Sequence, residues 1–411
     1  MKRVVITGIG AVTPVGNNVK DSWDKLVAGQ HGIAPITGID VSDIPVKVAG
    51  QVKDFDPLQY FEKKELRRND PYTRFAVAAA EEALADSKTK FEDLDAFRVG
   101  VIFGSGIGGF QSIETEYEKF LEKGPNRVSV FFIPMMISNM AAGEIAMRFG
   151  FKGANYAPVT ACATSSHAIG EAFHKIRFGL LDACVAGGAE AAVTRFAMAG
   201  FNNMKALSQS EDPDRASIPF DAERSGFVMG EGAGCVILEE LEHAKARGAK
   251  IYAEVVGYGA TSDAYHMTSP APDGSGAAKA MQLAMEEAGV KPEEVTYINA
   301  HGTSTGLNDK YETIAIRKAL GEAADKVMVS SSKSMTGHML GAAGAVETIV
   351  CAKCIEEGVV VPTANYKVAD PECDLDVVPN VARKADVKVA LSNSLGFGGH
   401  NATICLKKYK A

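Results

Sequence analysis

The sequence predicts a layered α/β protein whose central sheet lies buried between helices. Three observations carry this. Short runs rich in β-branched residues alternate with longer Ala-rich stretches of helical period. Several of the short runs are apolar at nearly every position, as strands covered on both faces must be. The chain of 411 residues is 46% hydrophobic and 23% charged, enough apolar material for a large core. At roughly 150 residues per domain this is two or three units, or one large α/β body.

The first strand is read at residues 3–7, inside MKRVVITGIG. Two basic residues precede an apolar run that breaks at Gly8 and Gly10, and no small-residue cleavage site follows, so a strand fits better than a secretory signal. Further strands are expected at 99–103, 183–186, 234–238, 253–258, 295–299, 327–330 and 387–392. Helices are expected at 73–87, 166–177, 276–288, 310–320 and 342–356. The strand exits Cys184-Val-Ala-Gly-Gly-Ala-Glu and Leu391-Ser-Asn-Ser-Leu-Gly-Phe-Gly-Gly look alike, and the β-rich start near Ile251 echoes the N-terminus. They suggest two related halves, 1–250 and 251–411, within one unit spanning 1–411. No short-period repeat, low-complexity segment or long linker interrupts it.

With 43 basic and 51 acidic side chains the net charge is −8, the wrong sign for broad nucleic-acid binding. No apolar run reaches the roughly 18 residues of a membrane span. Seven cysteines, an odd number, suggest reduced thiols in a cytoplasmic setting rather than a disulfide framework.

Two familiar patterns carry little. Gly104-Ser-Gly-Ile-Gly-Gly fits G-x-G-x-x-G, but a dinucleotide site needs an acidic strand end about 20 residues on, and the stretch at 129–132 has no acid. A tight turn that lets something approach the backbone is the better reading. Cys351 and Cys354 form C-x-x-C in a helical pattern, without a second pair to complete four zinc ligands. They read as core, and no metal site is expected.

Pro158-Val-Thr-Ala-Cys162-Ala-Thr-Ser-Ser is different. It ends an apolar strand, and a helix runs from about residue 163. Cys162 then occupies the first turn, where the helix dipole and free N–H groups favour thiolate. The small neighbours Ala161, Ala163 and Ser165 suit a sharp turn that presents a nucleophile. Spacing alone leaves a buried cysteine in a crowded turn equally open. Asn299-Ala-His301-Gly-Thr-Ser-Thr and Ser332-Lys333-Ser-Met-Thr-Gly-His338 also leave apolar strands. Sites in layered α/β folds gather at the carboxyl ends of strands, and here three exits deliver one Cys and two His.

Taken in order, TACATS with Cys162, NAHGTST with His301, KSMTGHMLGAAG with Lys333 and His338, and GFGGHN with Phe397 resemble the elongating β-ketoacyl-acyl carrier protein synthases, most of all the synthase II type of bacterial fatty acid synthesis. The resemblance runs the length of the chain. It implies a thiolase-like fold: two similar halves stacked as five α-β-α-β-α layers, usually as a homodimer. It implies an acyltransferase in which Cys162 takes an acyl chain from an acyl carrier protein. Malonyl-carrier protein then loses carbon dioxide, and the carbanion lengthens the acyl chain by two carbons. A soft, partly ionised thiol is both nucleophile and leaving group.

By the same resemblance, His301 and His338 donate N–H groups to the malonyl thioester oxygen as it becomes an enolate. Backbone N–H groups of Cys162 and Phe397 form a second oxyanion hole. Lys333 stabilises charge beside His338 and pairs with Glu347. Gly398 and Gly399 let the Phe397 loop swing as a gate. Ile107 limits or opens an apolar acyl pocket walled by Phe132, Met135 and Phe201, and Thr268, Thr303 and Thr305 hold the pantetheine arm. No cofactor of its own is implied, because phosphopantetheine arrives on the carrier protein. Two positions depart from the pattern: His400 stands where many relatives have Thr, and Leu395 where many are aromatic.

Lys63, Lys64, Arg67 and Arg68, spaced i, i+1, i+4, i+5, share one face if their segment is helical, and would suit an acidic carrier protein. Arg127 and Lys205 are further candidates. Two histidines, rather than His with Asn, favour elongating over initiating synthases, and the GFGGHN loop lacks the second cysteine of thiolases. A non-catalytic chain-length-factor subunit would lack Cys162. A standalone polyketide ketosynthase stays open, and a nicotinamide oxidoreductase is disfavoured by the missing acid.

Overall fold

Ten strands hydrogen-bond into one mixed sheet. In the computed structural model, which describes residues 1–410, the strands are β1 (Val4–Val12), β2 (Val99–Gly104), β3 (Asn155–Tyr156), β4 (Ala183–Glu190), β5 (Gly232–Glu240), β6 (Ala253–Ser262), β7 (Tyr297–Asn299), β8 (Met328–Ser330), β9 (Val389–Gly396) and β10 (His400–Lys407). From edge to edge the order is β8-β7-β9-β10-β6-β1-β5-β4-β2-β3. Counted outward from the centre, each set of five runs first, fifth, fourth, second, third. Pairing is antiparallel for the inner strands and parallel for the outer three in both sets. The sets join only where Val4, Val5 and Ile6 of β1 meet Val255, Glu254 and Ala253 of β6.

Helices α1 (Pro71–Ser87), α2 (Phe110–Lys123), α3 (Met140–Phe149), α4 (Thr164–Arg177), α5 (Arg195–Asn203), α6 (Ser275–Ala288), α7 (Gly306–Leu320) and α8 (Ala343–Glu357) supply the cover. α1 and α3 lie on the outside of the first five strands, and α6 with α7 on the outside of the second. Between them sit α4 and α8, each touching strands of both sets. That makes five layers. The middle ones are dry, which is why β1, β2, β4 and β5 are apolar or small nearly throughout.

Glycine sets the layer spacing twice. A Cβ on Gly8 or Gly10 of β1 would lie 2.2 or 2.0 Å from the Ala83 or Ala79 carbonyl of α1. A Cβ on Gly257 or Gly259 of β6 would lie 2.0 or 1.8 Å from the Ala284 or Ala280 carbonyl of α6. The same device on the first strand of each set is the physical content of the N-terminal echo.

Every anticipated strand and helix is present, several longer than the sequence pattern indicated. The missed elements include α2, α3, α5, β3, β10 and the nine-residue helix Val19–Val27. The basic segment is a correction. Residues 65–68 form only a short turn, Glu65–Arg68, preceded by irregular backbone, so no α-helix aligns Lys63, Lys64, Arg67 and Arg68. All four are nevertheless exposed. No helix among the described residues is long and apolar enough to cross a membrane.

Candidate active site

Six strand ends point into the junction between the two sets. The loop after β2 brings Ile107, the turn after β3 brings Cys162, and β4 ends at Glu190. The loops after β7, β8 and β9 bring His301, then Lys333 with His338, and then Phe397. The middle helices meet there with their N-termini: Ala345 N–H donates to Ser165 Oγ at 2.9 Å, and Ser166 Oγ shares a hydrogen bond with Ser394 Oγ. Only small side chains permit this approach.

Cys162 sits on the short helical turn Ala161–Ala163 that opens α4, and is 6% exposed. Ala161 before it is held at φ +50, a left-handed conformation that an L-residue adopts at a cost. Leu340, two residues after His338, and Ser304, three after His301, are held likewise at +46 and +72. Three strained turns at one site mark positions that the surrounding structure over-determines.

The thiol differs from the expectation of a thiolate. Burial pushes its pKa up to about 12, against the pull of Lys333 and of the Phe397 and Cys162 N–H groups. Dry surroundings outweigh the helix terminus, so the resting side chain is S–H. The Phe397 and Cys162 N–H groups both face the sulfur.

Two imidazoles are close. Ligand atoms of Cys162, His301 and His338 all lie within 4.8 Å of one another. Burial, then Lys333, holds both imidazoles well below the usual histidine range, so both rings are neutral. Their planes cross at 87° with centroids 5.1 Å apart. His301 Nδ1 and both nitrogens of His338 have no protein partner. Buried ring nitrogens without a protein partner are free to meet a ligand or an ordered water.

Backbone anchors fix both rings. His338 N–H donates to the Val228 carbonyl at 2.7 Å, and Phe227 meets its ring edge-on. His301 and Gly302 N–H groups donate to the Glu312 carboxylate at 2.7 and 2.8 Å. Lys333, 1% exposed, forms its ion pair with Glu347, 2% exposed. Burial raises the Glu347 carboxyl and Lys333 pulls it back.

Ile107 and Phe201 join the apolar cluster that contains Cys162, with Val193, Met198 and Phe227. Phe132 and Met135 lie outside that cluster, on the short helix Phe132–Met136, which reaches the glycine loop through Gly109 N–H to Met136 O. A cavity of about 300 Å³ is lined by Thr268, Thr305, Lys205, Leu395 and Phe397. Thr303 Oγ1 hydrogen-bonds Thr305 Oγ1 beside it. Gly398 and Gly399 take φ +90 and +76. Their loop is tied down by Gly398 N–H to Met267 O and by Asp263 N–H to Gly399 O.

Sequence reading missed the carboxylates. Glu190, at the end of a quoted strand, accepts from Ser105 Oγ and from the Gly106, Ile107 and Gly341 N–H groups. So the glycine loop wraps a side-chain carboxylate, and Cys351 and Cys354 are plain buried core. Burial holds the Glu190 carboxyl up to about 7, against these four donors. Because that folded value lies above the ordinary 4.5, its contribution to stability is complete below about pH 4.5 and is lost as pH rises through about 7. Glu190→Gln turns an NH₂ toward a backbone N–H and is expected to cost about 1–3 kcal/mol. Urea unfolding at pH 5 and pH 8 checks both points: the variant is less stable, and its decline between the two pH values is shallower than the native one.

Known proteins resemble this chain along its whole length. The family described as Beta-ketoacyl synthase, N-terminal domain, matches residues 1–244, and Beta-ketoacyl synthase, C-terminal domain, matches 252–367. The chain is 53% identical over 410 residues to a 3-oxoacyl-[acyl-carrier-protein] synthase 2 of Synechocystis, and 51% identical over 410 residues to one of Staphylococcus aureus. Each alignment covers 100% of this chain and 99% of the relative. Among solved structures it is similar to a type II PKS ketosynthase bound to its acyl-carrier protein, at TM-score 0.92 and 35% identity, with 100% of both chains covered.

Proposed function

Since the chain belongs to the β-ketoacyl synthase family, we propose that it is a 3-oxoacyl-[acyl-carrier-protein] synthase, which condenses a Cys162-bound acyl chain with malonyl-carrier protein. The observation that supports this most is the Cys162, His301 and His338 cluster, beside a cavity walled by Phe397.

The chemistry follows from the residues. An acyl thioester enters with its carbonyl oxygen at the Cys162 and Phe397 N–H groups. Cys162 gives its proton to a neutral imidazole as sulfur attacks, and the proton leaves on the departing pantetheine thiol. The acyl tail lies against Ile107 and Phe201. Malonyl thioester follows; its C–C bond breaks, carbon dioxide leaves, and the electron pair forms an enolate held by His301 and His338. The enolate carbon attacks the acyl carbonyl, and the Cys162 sulfur departs and regains a proton. Lys333 keeps both rings neutral, since a second positive charge beside it is unfavourable. Thr268, Thr303 and Thr305 line the arm's path. No cofactor of its own is required, because phosphopantetheine comes on the carrier protein.

We place the halves at 1–250, carrying the nucleophile, and 251–411, carrying both histidines; the repeated strand order supports this division. The exposed apolar residues Phe131, Ile133, Tyr117, Leu121 and Phe196 suit a homodimer. Seven free, buried cysteines suit the cytoplasm.

Carrier docking is assigned to Lys63, Lys64, Arg67, Arg68 and Arg127, with Lys205 at the cavity. Lys64 and Arg68 are already paired with Glu62 and Glu65, at 2.7 and 3.7 Å. Lys63, Arg67 and Arg127 are exposed without an ion-pair partner among the described residues. Lys63→Glu with Arg67→Glu is therefore expected to raise KM for carrier-linked substrates about 10-fold, with kcat unchanged and the gap closing at high salt. Steady-state kinetics at two salt concentrations check it; a fall in kcat alone contradicts the docking role.

The deciding experiment is mass spectrometry of carrier-linked products from malonyl-carrier protein and acyl donors of graded length. A single two-carbon extension to a 3-oxo product supports the reading. Repeated extension without reduction favours the polyketide alternative, which the likeness to a polyketide ketosynthase keeps in view. No extension overturns both.

A further inference from the structure

The reacting side chains are also a compact set of metal donors. One thiol and two imidazoles, all buried, present ligand atoms within 4.8 Å of one another. His301 Nδ1 and both His338 nitrogens are unpartnered. Bonds of about 2.0–2.3 Å to a tetrahedral Zn²⁺ require N–N and S–N donor spacings of roughly 3.3–3.5 Å, so the donors need close by no more than about 1.5 Å to chelate the ion. Sulfur with imidazole suits zinc and other thiophilic ions, and not Mg²⁺. Three protein donors with one open position is a coordination that zinc adopts at catalytic sites.

The surrounding charge permits a cation. The Lys333 ammonium acts on all three donors and opposes one, but it is paired with Glu347. The Glu190 carboxyl acts on Cys162 in the opposite sense.

We propose that Cys162, His301 and His338 form an inhibitory binding site for Zn²⁺. On binding, the S–H bond breaks and an S–Zn bond forms. The proton passes to solvent, the two imidazoles bind through ring nitrogens, and water completes the coordination. The ion occupies the sulfur lone pair needed for acyl transfer and the ring nitrogens needed for the enolate. The zinc site itself stands on donor geometry; that its occupation inhibits rests on the condensation reading.

The test is equilibrium dialysis of the full chain against Zn²⁺, with Co²⁺ as a spectroscopic probe and Mg²⁺ as control. The native protein is expected to hold one more tightly bound zinc than Cys162→Ala or His338→Ala. Co²⁺ is expected to give intense visible bands of a four-coordinate site and a sulfur-to-metal band that Cys162→Ala lacks. On native protein, iodoacetamide labelling of Cys162, followed by peptide mass spectrometry, should slow about 10-fold at ten times the zinc dissociation constant and recover with chelator. Equal zinc in native and variant proteins, or unchanged labelling of native Cys162 in saturating zinc, overturns the proposal. The labelling arm needs no variant, so a misfolded mutant does not blunt it. Zinc binding without condensation would sink only the enzymatic reading, and condensation without zinc protection only this one.

Discussion

Cys162→Ser loses acyl transfer by about 1000-fold or more, the scale on which removal of a covalent nucleophile acts elsewhere, while the protein stays folded. The turn already holds a small side chain, and serine demands no new space beside Ala161, whose strained φ +50 is unchanged. The chemistry is what changes. Burial already pushes the Cys162 thiol up to about 12. A hydroxyl ionises with greater difficulty than a thiol, and the apolar cluster of Val193, Met198 and Phe227 would suppress its charge as strongly. A neutral imidazole too weak to deprotonate an alcohol leaves the serine unreactive. Intact-mass measurement of acyl-enzyme, with thermal unfolding on the same sample, checks it. Self-acylation of the serine variant near the native rate would show that another residue is the nucleophile.

His301→Ala and His338→Ala each lower malonyl decarboxylation by about 100- to 1000-fold, the loss of roughly 2.7–4 kcal/mol that follows removal of one oxyanion donor. Both rings are buried and neutral, each can offer one N–H to the enolate, and neither is replaced by water in so dry a site. Condensation should fall in parallel. Acylation of Cys162 should fall much less in either single variant, because its oxyanion is held by backbone N–H groups and one imidazole remains to take the proton. The double variant should lose acylation as well. Lys333→Ala should be harsher, since it leaves the Glu347 carboxylate buried without its countercharge, a loss of about 3–5 kcal/mol in stability. Carbon dioxide release and acyl-enzyme mass, measured on the same preparations, separate the two steps. Equal loss of both steps in His301→Ala alone would make that ring the base for the thiol rather than an enolate donor.

The strands were readable because double-sided burial demands unbroken apolar runs, and β1, β2 and β4 have them. Helices α2 and α5 were not read, although both are amphipathic: each carries an exposed face, unlike the Ala-rich buried helices that the reading relied on. The basic segment misled for the opposite reason: its spacing fits a helix, but Pro57 before it and Pro71 after it leave only short turns. Cys162, His301 and His338 were visible as chemistry at strand exits. Their mutual distance was not, since residues 162, 301 and 338 meet only when two sets of strands lie side by side.

By itself the sequence determined the layered class and the family, and it singled out the three strand-exit residues that we propose carry the chemistry. These are local matters of apolar runs, small residues at turns and side-chain identity. The tertiary structure decided the protonation states, because they depend on what surrounds a group rather than on its neighbours in the chain. It turned an expected thiolate into a buried S–H, held both imidazoles neutral beside Lys333, and made Glu190 the carboxylate around which the glycine loop folds. Burial and charge at a site are sums over residues distant in sequence, and those sums exist only once the layers have closed.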